Sequence, residues 1–357
     1  MNQKTANPDW NVLRFGVYYK PAGENFMNND ECLEQVRARY PEQINDYCRK
    51  LIADHPVLAP MYCADPRELE SAGLETDGLG ETALSPFPHL IRTYQDRALL
   101  LTTGACFSRC RFCFRKRLWR TDSPVMQEVD ETEFTQILQW LKEHPEVDDI
   151  LLSGGDVMTL PDHKIFSLID RLFETGTIRT CRICSRAPAA APERITGHFA
   201  EELGKRDGVW FICHFNHPNE LTPEAREACR RLIRNGVPML NQAVLLAGVN
   251  DSVEILHDLF KNLAQLRVKP HYLFHIDPVE GVSHFATGVQ KGLEIMESFR
   301  YTLSSLARPD FAIDLPCGGG KVVLTPDDQD GNGNYWSAVK QCYIKHPLTH
   351  QKQESSS

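Results

Sequence analysis

From about residue 97 the chain settles into a rhythm that few folds can satisfy. Short apolar runs rich in strand-forming residues occur at 98–104, 148–153, 179–185, 209–215, 238–246 and 270–276. After the first gap their starts lie about 30 residues apart, and amphipathic segments such as 132–141 and 223–232 fill the intervals. Strand alternating with helix at this spacing predicts βα units on a parallel sheet, because parallel neighbours need a crossover between them. Six such units predict an α/β fold, a partial (β/α)6 barrel short of the eight units that close a full one.

The flanking segments lack this period. Residues 1–95 read as an N-terminal helical extension and connector, 96–300 as the barrel, and 301–357 as a C-terminal segment with a frayed polar tail. Short helices are expected near 30–36 and 40–48, the second with Pro41 at its start. Residues 56–90, rich in Pro, Gly and acidic side chains, read as a long connector laid over a core, with Asp65-Pro66-Arg67-Glu68 as a helix start within it.

In a βα barrel, chemistry collects on the loops just past the strand C-termini. The first strand runs into Cys106, Cys110 and Cys113, a C-x3-C-x2-C loop, and the second into Ser153-Gly154-Gly155-Asp156. The third leads to Ser185-Arg186, the fourth to His214-Phe215-Asn216-His217 and the sixth to Asp277, while Asn241 and Gln242 lie within the fifth. Every unit thus delivers polar groups to one end. Three thiols this close are ligands first. Cysteine-held [4Fe–4S] clusters normally use four thiolates, so three leave one iron open for a substrate or cofactor. A zinc site short of one ligand and chance clustering are the competing readings.

Other motifs are read against blander alternatives. Gly154-Gly155 is either a tight turn or a place where backbone approaches a ligand, and Asp156 either fixes an amino group or caps. Gly318-Gly319-Gly320-Lys321 lacks the Walker spacing, and Val322 stands where Ser or Thr is needed. It is either a flexible turn with a solvated lysine or a lysine on mobile backbone that forms a Schiff base with pyridoxal phosphate. Cys181 and Cys184 fall within one strand on opposite faces, which favours packing over a shared site. Asp277 and Asp314 are either caps or a carboxylate pair gripping a cationic side chain.

The net charge of −9 argues against nucleic acid as partner, because phosphate binding wants basic excess. The basic cluster of Arg109, Arg111, Arg115, Lys116, Arg117 and Arg120 surrounds the cysteines and reads as local anion binding. No run approaches the ~18 apolar residues of a membrane helix. No secretory signal is evident, and 12 cysteines point to metal or catalysis in a reducing compartment, so a cytoplasmic location is expected.

Taken together, residues 86–326 resemble the lysine 2,3-aminomutase family of radical S-adenosylmethionine enzymes. The resemblance rests on Tyr94-Gln95-Asp96-Arg97, the cysteine loop with Arg115-Lys116-Arg117, Ser153 to Asp156 and Ser185-Arg186-Ala187-Pro188. It continues through His214 to Glu220, Asn241-Gln242 to Asp251, Asp277 to Phe285, and Gly318 to Lys321. It implies a [4Fe–4S] cluster on Cys106, Cys110 and Cys113, with S-adenosylmethionine on the open iron. Ser153, Gly154, Gly155, Asp156, Arg186, His214 and Gln242 would be that cofactor's contacts. Lys321 would carry pyridoxal 5′-phosphate beside Tyr94, Arg115 would anchor the substrate carboxylate, and Asp277 and Asp314 would grip a side-chain ammonium.

The implied reaction moves the α-amino group of a cationic L-amino acid, lysine first, to the β-carbon by way of a 5′-deoxyadenosyl radical. Arginine 2,3-aminomutation and β-lysine formation for modifying elongation factor P are the alternatives, and an iron–sulfur redox or scaffold protein is the non-enzymatic one. A reductant such as flavodoxin or ferredoxin is implied, and a homo-oligomer is admitted. Ser252 stands where clostridial members place a cysteine partnering an interface zinc, Cys317 where glycine is usual, and Phe114 where long-form members have threonine.

Overall fold

The computed structural model describes residues 29–70, 73–119, 124–324, 330, 332–337 and 339–347. One nine-stranded sheet dominates it, with the strands in sequence order. β1 (Leu90–Ile91) pairs antiparallel with β2 (Arg97–Thr103). Parallel pairing then runs through β3 (Asp149–Gly154), β4 (Thr180–Ser185), β5 (Val209–Cys213), β6 (Met239–Val244), β7 (Val268–Phe274) and β8 (Asp310–Leu315). β9 (Gly320–Val323) closes the row antiparallel to β8. β1 and β9 do not pair with each other, so the sheet is a curled partial barrel.

All six expected strands are present, and β8 adds a seventh parallel one. Asp310-Phe311-Ala312-Ile313 is too short a run to announce a strand by pattern, and pairing with β7 secures it. The crossovers include α3 (Glu131–Glu143), α4 (Asp162–Phe173), the short α5 (Ala187–Ala190) with α6 (Gly197–Gly204), α7 (Pro223–Arg234), α8 (Val253–Gln265) and α9 (Val289–Thr302). Their apolar stripes bury Ile137, Ile169, Phe199, Leu232, Leu259 and Phe299 against the outer face of the sheet in one core. Caps start them on cue: Asp130 accepts from Glu133 N, Thr222 from Ala225 N and Ser252 from Ile255 N.

Ahead of the barrel lie α1 (Asn29–Arg39) and α2 (Asp46–Asp54). The second helix starts later than expected. Pro41 lies outside it, and Asn45 is the cap, its side chain accepting from Cys48 N at 2.8 Å. Asp65-Pro66-Arg67-Glu68 forms a capping box on a single 3-10 turn. Beyond β9, β10 (Asn334–Ser337) and β11 (Cys342–Lys345) make an antiparallel hairpin. The sheet itself takes strands from 1–95, 96–300 and 301–357. The expected frayed tail lies mostly outside the described residues. Among the described residues no helix is long and apolar enough to cross a membrane.

Candidate functional site

The cysteine loop leaves β2 and is held from beneath by the end of β3. Gly155 N donates to Thr103 O at 2.6 Å and Asp156 N to Ala105 O at 2.7 Å. A Cβ on Gly154 would lie 2.4 Å from Thr103 O, and one on Gly155 2.2 Å from Ala105 O. The two glycines are therefore needed for backbone to meet backbone under the loop. Cys106, Cys110 and Cys113 are free and partly exposed. Burial raises all three thiols, that of Cys113 to about 11. Burial thus opposes the thiolate form, and the positive charge of a bound metal would offset that cost. Among the described residues no three potential ligands converge on a single ion. A cluster that takes each thiolate on a different iron requires no such convergence.

The basic residues around the loop are largely committed to internal carboxylates. Arg111, fully buried, makes a bidentate pair with Glu68 at 2.9 and 2.6 Å, and Lys116 Nζ reaches the same carboxylate at 2.7 Å. Arg115 donates to Glu81 at 2.6–3.1 Å, and Arg117 reaches Glu81 at 2.8 Å. Burying this many cations requires paired anions, and the connector supplies them. The expected anion-binding cluster is thus mostly an internal ion-pair network, and Arg120 lies outside the described residues. Glu68 and Glu81 escaped sequence reading because their partners lie 34–48 residues away.

Arg115 Nη1 is the guanidinium nitrogen not directed at Glu81. It donates to Ser153 Oγ at 3.3 Å, and the guanidinium lies 4.4 Å from the Phe114 ring centroid. Burial opposes its charge, but the Glu81 carboxylate outweighs that and raises its pKa.

Asp277 follows β7 and Asp314 sits in β8. Asp277 Oδ1 is buried with no hydrogen-bond partner among the described residues. Burial, then the charge of Asp314, pushes the Asp277 carboxyl well above the usual range, while Lys321 and Arg115 pull it down. These charges feel one another because they share one end of the barrel. Asp314 faces Lys321 across the β8–β9 pair. Lys321 Nζ stands 3.8 Å from Asp314 Oδ1 and 4.8 and 4.6 Å from the ring centroids of Tyr272 and Phe274.

The glycine loop is not the mobile support expected for Lys321. Gly318 and Gly320 adopt φ +71° and +78°, which favours glycine there. Cys317 N donates to Gly78 O, Gly318 N to Leu79 O at 2.8 Å, and Lys321 N to the Tyr94 hydroxyl at 2.6 Å. Tyr94 thus holds the loop, with Arg97 stacked 3.7 Å from its ring centroid.

Around the cysteines, His214 is partly buried, its Nε2 buried and unpartnered among the described residues, and burial, then Arg186, lowers it to about 3. It is a neutral ring with a nitrogen to offer. Gln242 shares the less buried face of β6 with Leu240 and Val244. Asp156, expected among the cofactor contacts, is turned inward. It accepts from Ser185 Oγ at 2.7 Å, Met158 N at 3.0 Å and Arg186 N at 2.9 Å, so its carboxylate acts as the cap. Cys181 is buried on the helix side and Cys184 on the opposite face, as the strand period requires.

With this geometry in hand, the chain can be set beside known proteins. Residues 100–259 match the radical SAM superfamily model. L-lysine 2,3-aminomutase of Acetoanaerobium sticklandii is 41% identical, the match covering 90% of this chain and 80% of that protein. The chain belongs to the lysine 2,3-aminomutase family of radical S-adenosylmethionine enzymes. L-lysine 2,3-aminomutase of Clostridium subterminale is also 41% identical over the same shares. Glutamate 2,3-aminomutase of Clostridioides difficile is 35% identical, covering 83% of this chain and 70% of that protein. Lysine 2,3-aminomutase family enzymes are isomerases, and they use a [4Fe–4S] cluster, S-adenosylmethionine and pyridoxal phosphate. Membership discards the scaffold-protein reading.

Proposed function

We propose that the chain is a pyridoxal-phosphate-dependent 2,3-aminomutase for a cationic L-amino acid, with lysine first and arginine second. The observation that carries this reading is Asp277, whose Oδ1 is buried with no hydrogen-bond partner among the described residues and whose carboxyl feels the charge of Asp314. The Asp277 and Asp314 charges repel, and an ammonium or guanidinium between them relieves that repulsion and the desolvation of Asp277. A substrate with an acidic side chain would add a third negative charge there. The glutamate-directed relative shows that the family contains such a specificity, and the acidic pair argues against it here.

The residues fit the family's cofactors. Cys106, Cys110 and Cys113 would hold the cluster, with Ser153, Gly154, Gly155, His214 and Gln242 lining the space beside it. Lys321, framed by Tyr272 and Phe274, would carry the pyridoxal ring on an aromatic bed, with Tyr94 fixing the loop. When bound, the cluster and S-adenosylmethionine supply a hydrogen-abstracting radical, and pyridoxal phosphate supplies the carrier for the migrating nitrogen. The protein's share is to orient and to exclude water. Arg115, aimed by Glu81, would take the substrate carboxylate on its Nη1 edge, while Asp277 and Asp314 would take the far cation. Fixing both ends holds the α- and β-carbons in one place, where positioning contributes most to rate.

An anaerobic screen of lysine, arginine, ornithine and glutamate with a low-potential reductant tests the reading. A β-isomer from lysine or arginine is expected. Turnover of glutamate alone would sink the cationic pocket.

A further inference from the structure

Arg186 follows the last residue of β4, at the corner that Asp156 clamps through Ser185 Oγ and Arg186 N. Its side chain is only 10% exposed, and its donors are spent inside the protein. Nε donates to His214 O at 3.3 Å, Nη1 meets Cys110 Sγ, and Nη2 donates both to the Tyr62 hydroxyl at 3.0 Å and to Glu220 Oε1. A guanidinium has five N–H donors. Four have acceptors here, so little remains for the contact with S-adenosylmethionine that the resemblance implied.

Glu220 keeps this cation from turning away. It is fully buried, and its second oxygen accepts from Asn216 N at 2.6 Å and His217 N at 3.0 Å. Two backbone amides thus hold the carboxylate, the carboxylate and Tyr62 hold the guanidinium, and the guanidinium meets the middle cysteine of the loop. Hydrogen bonds to cluster sulfurs stabilise the more negative, reduced state and raise the reduction potential.

We propose that Arg186 is a positioning residue that poises the cluster for reduction through an N–H···S bond to Cys110. The inference rests on Cys106, Cys110 and Cys113 being the cluster ligands. The step it governs is the arrival of one electron from a low-potential flavin or iron–sulfur protein. The cluster gains one negative charge, no bond breaks, and the donated N–H meets that charge.

The test is a potentiometric titration, followed by electron paramagnetic resonance, of anaerobically reconstituted protein without S-adenosylmethionine. Arg186→Met should keep about four irons per chain. It should also lower the reduced-to-oxidised ratio at a given potential about tenfold, a negative shift of about 59 mV for a one-electron couple. Arg186→Lys should recover part of the shift. An unshifted midpoint in the iron-loaded variant overturns the proposal, and more so if S-adenosylmethionine affinity falls instead. Should Arg186→Met fail to hold iron, wild-type protein labelled with 15N-arginine decides. Coupling of the reduced cluster to a guanidinium nitrogen supports the bond, and its absence overturns it. A wild-type chain that never takes up four irons would instead overturn the ligand assignment.

Discussion

Lys321 and Asp314 are direct cross-strand partners in the antiparallel β8–β9 pair, with Nζ 3.8 Å from Oδ1. Opposite charges at this register support each other across a sheet. The same ammonium lies 4.8 and 4.6 Å from the ring centroids of Tyr272 and Phe274. Lys321→Ala is expected to abolish both the imine absorbance of the pyridoxal-loaded protein and formation of the β-amino product. Absorbance spectra and amino acid analysis read the two effects. A surviving imine band would move the cofactor lysine elsewhere.

Asp277 should impose a pH dependence on substrate capture. Burial and Asp314 raise its folded pKa, so the folded chain holds this proton more tightly than the unfolded one. The associated stability is present at low pH and is lost as pH rises through the raised pKa. Only the ionised carboxylate attracts a cation, so KM for lysine should fall as pH rises across this titration. Asp277→Asn should flatten the profile and raise KM, while the substrate-free protein melts no lower than wild type. Steady-state kinetics across pH, with calorimetry, checks both.

Two connector glutamates should behave as structural anions with different consequences. Glu68→Ala would leave Arg111 and Lys116 buried without their carboxylate, and breaking such a pair costs about 3–5 kcal/mol. A lower denaturation midpoint and poorer iron retention are expected, because Arg111 lies between two of the cysteines. Glu81→Gln frees Arg115 from its main partner, so substrate KM should rise more than kcat falls. Equal loss in both would remove Glu81 from substrate positioning.

His284 should contribute to acid lability. Both ring nitrogens are buried without partners among the described residues, and burial lowers it to about 4, with Asp65 opposing and Lys116 reinforcing that shift to a smaller extent. The folded ring stays neutral at pH 5, whereas the unfolded chain protonates below about 6.5. Stability is therefore full above that value and is lost as pH falls toward 4. Between pH 7 and 5 the loss is about 2 kcal/mol. His284→Phe should remove that share of the slope in chemical denaturation at the two pH values; an unchanged slope would locate the lability elsewhere.

The repeat of strands and helices was legible from sequence because it is local: side-chain period and spacing specify each βα unit before any unit meets another. The cysteine spacing was legible for the same reason, and so was the placement of polar groups past the strand ends, which the parallel topology enforces. Tertiary structure decided the rest. Whether Arg111 and Arg115 face a ligand or an internal anion depends on Glu68 and Glu81, respectively 43 and 34 residues away, and a local pattern carries no such information. Asp310–Leu315 became a strand through its neighbour β7. Gly318 and Gly320 suggested a loose hinge in one dimension, but their positive φ angles belong to a turn pinned to Gly78, Leu79 and Tyr94. Charge pairing and burial are properties of the packed chain, and they turned an expected anion-binding cluster into the frame around the cysteine loop.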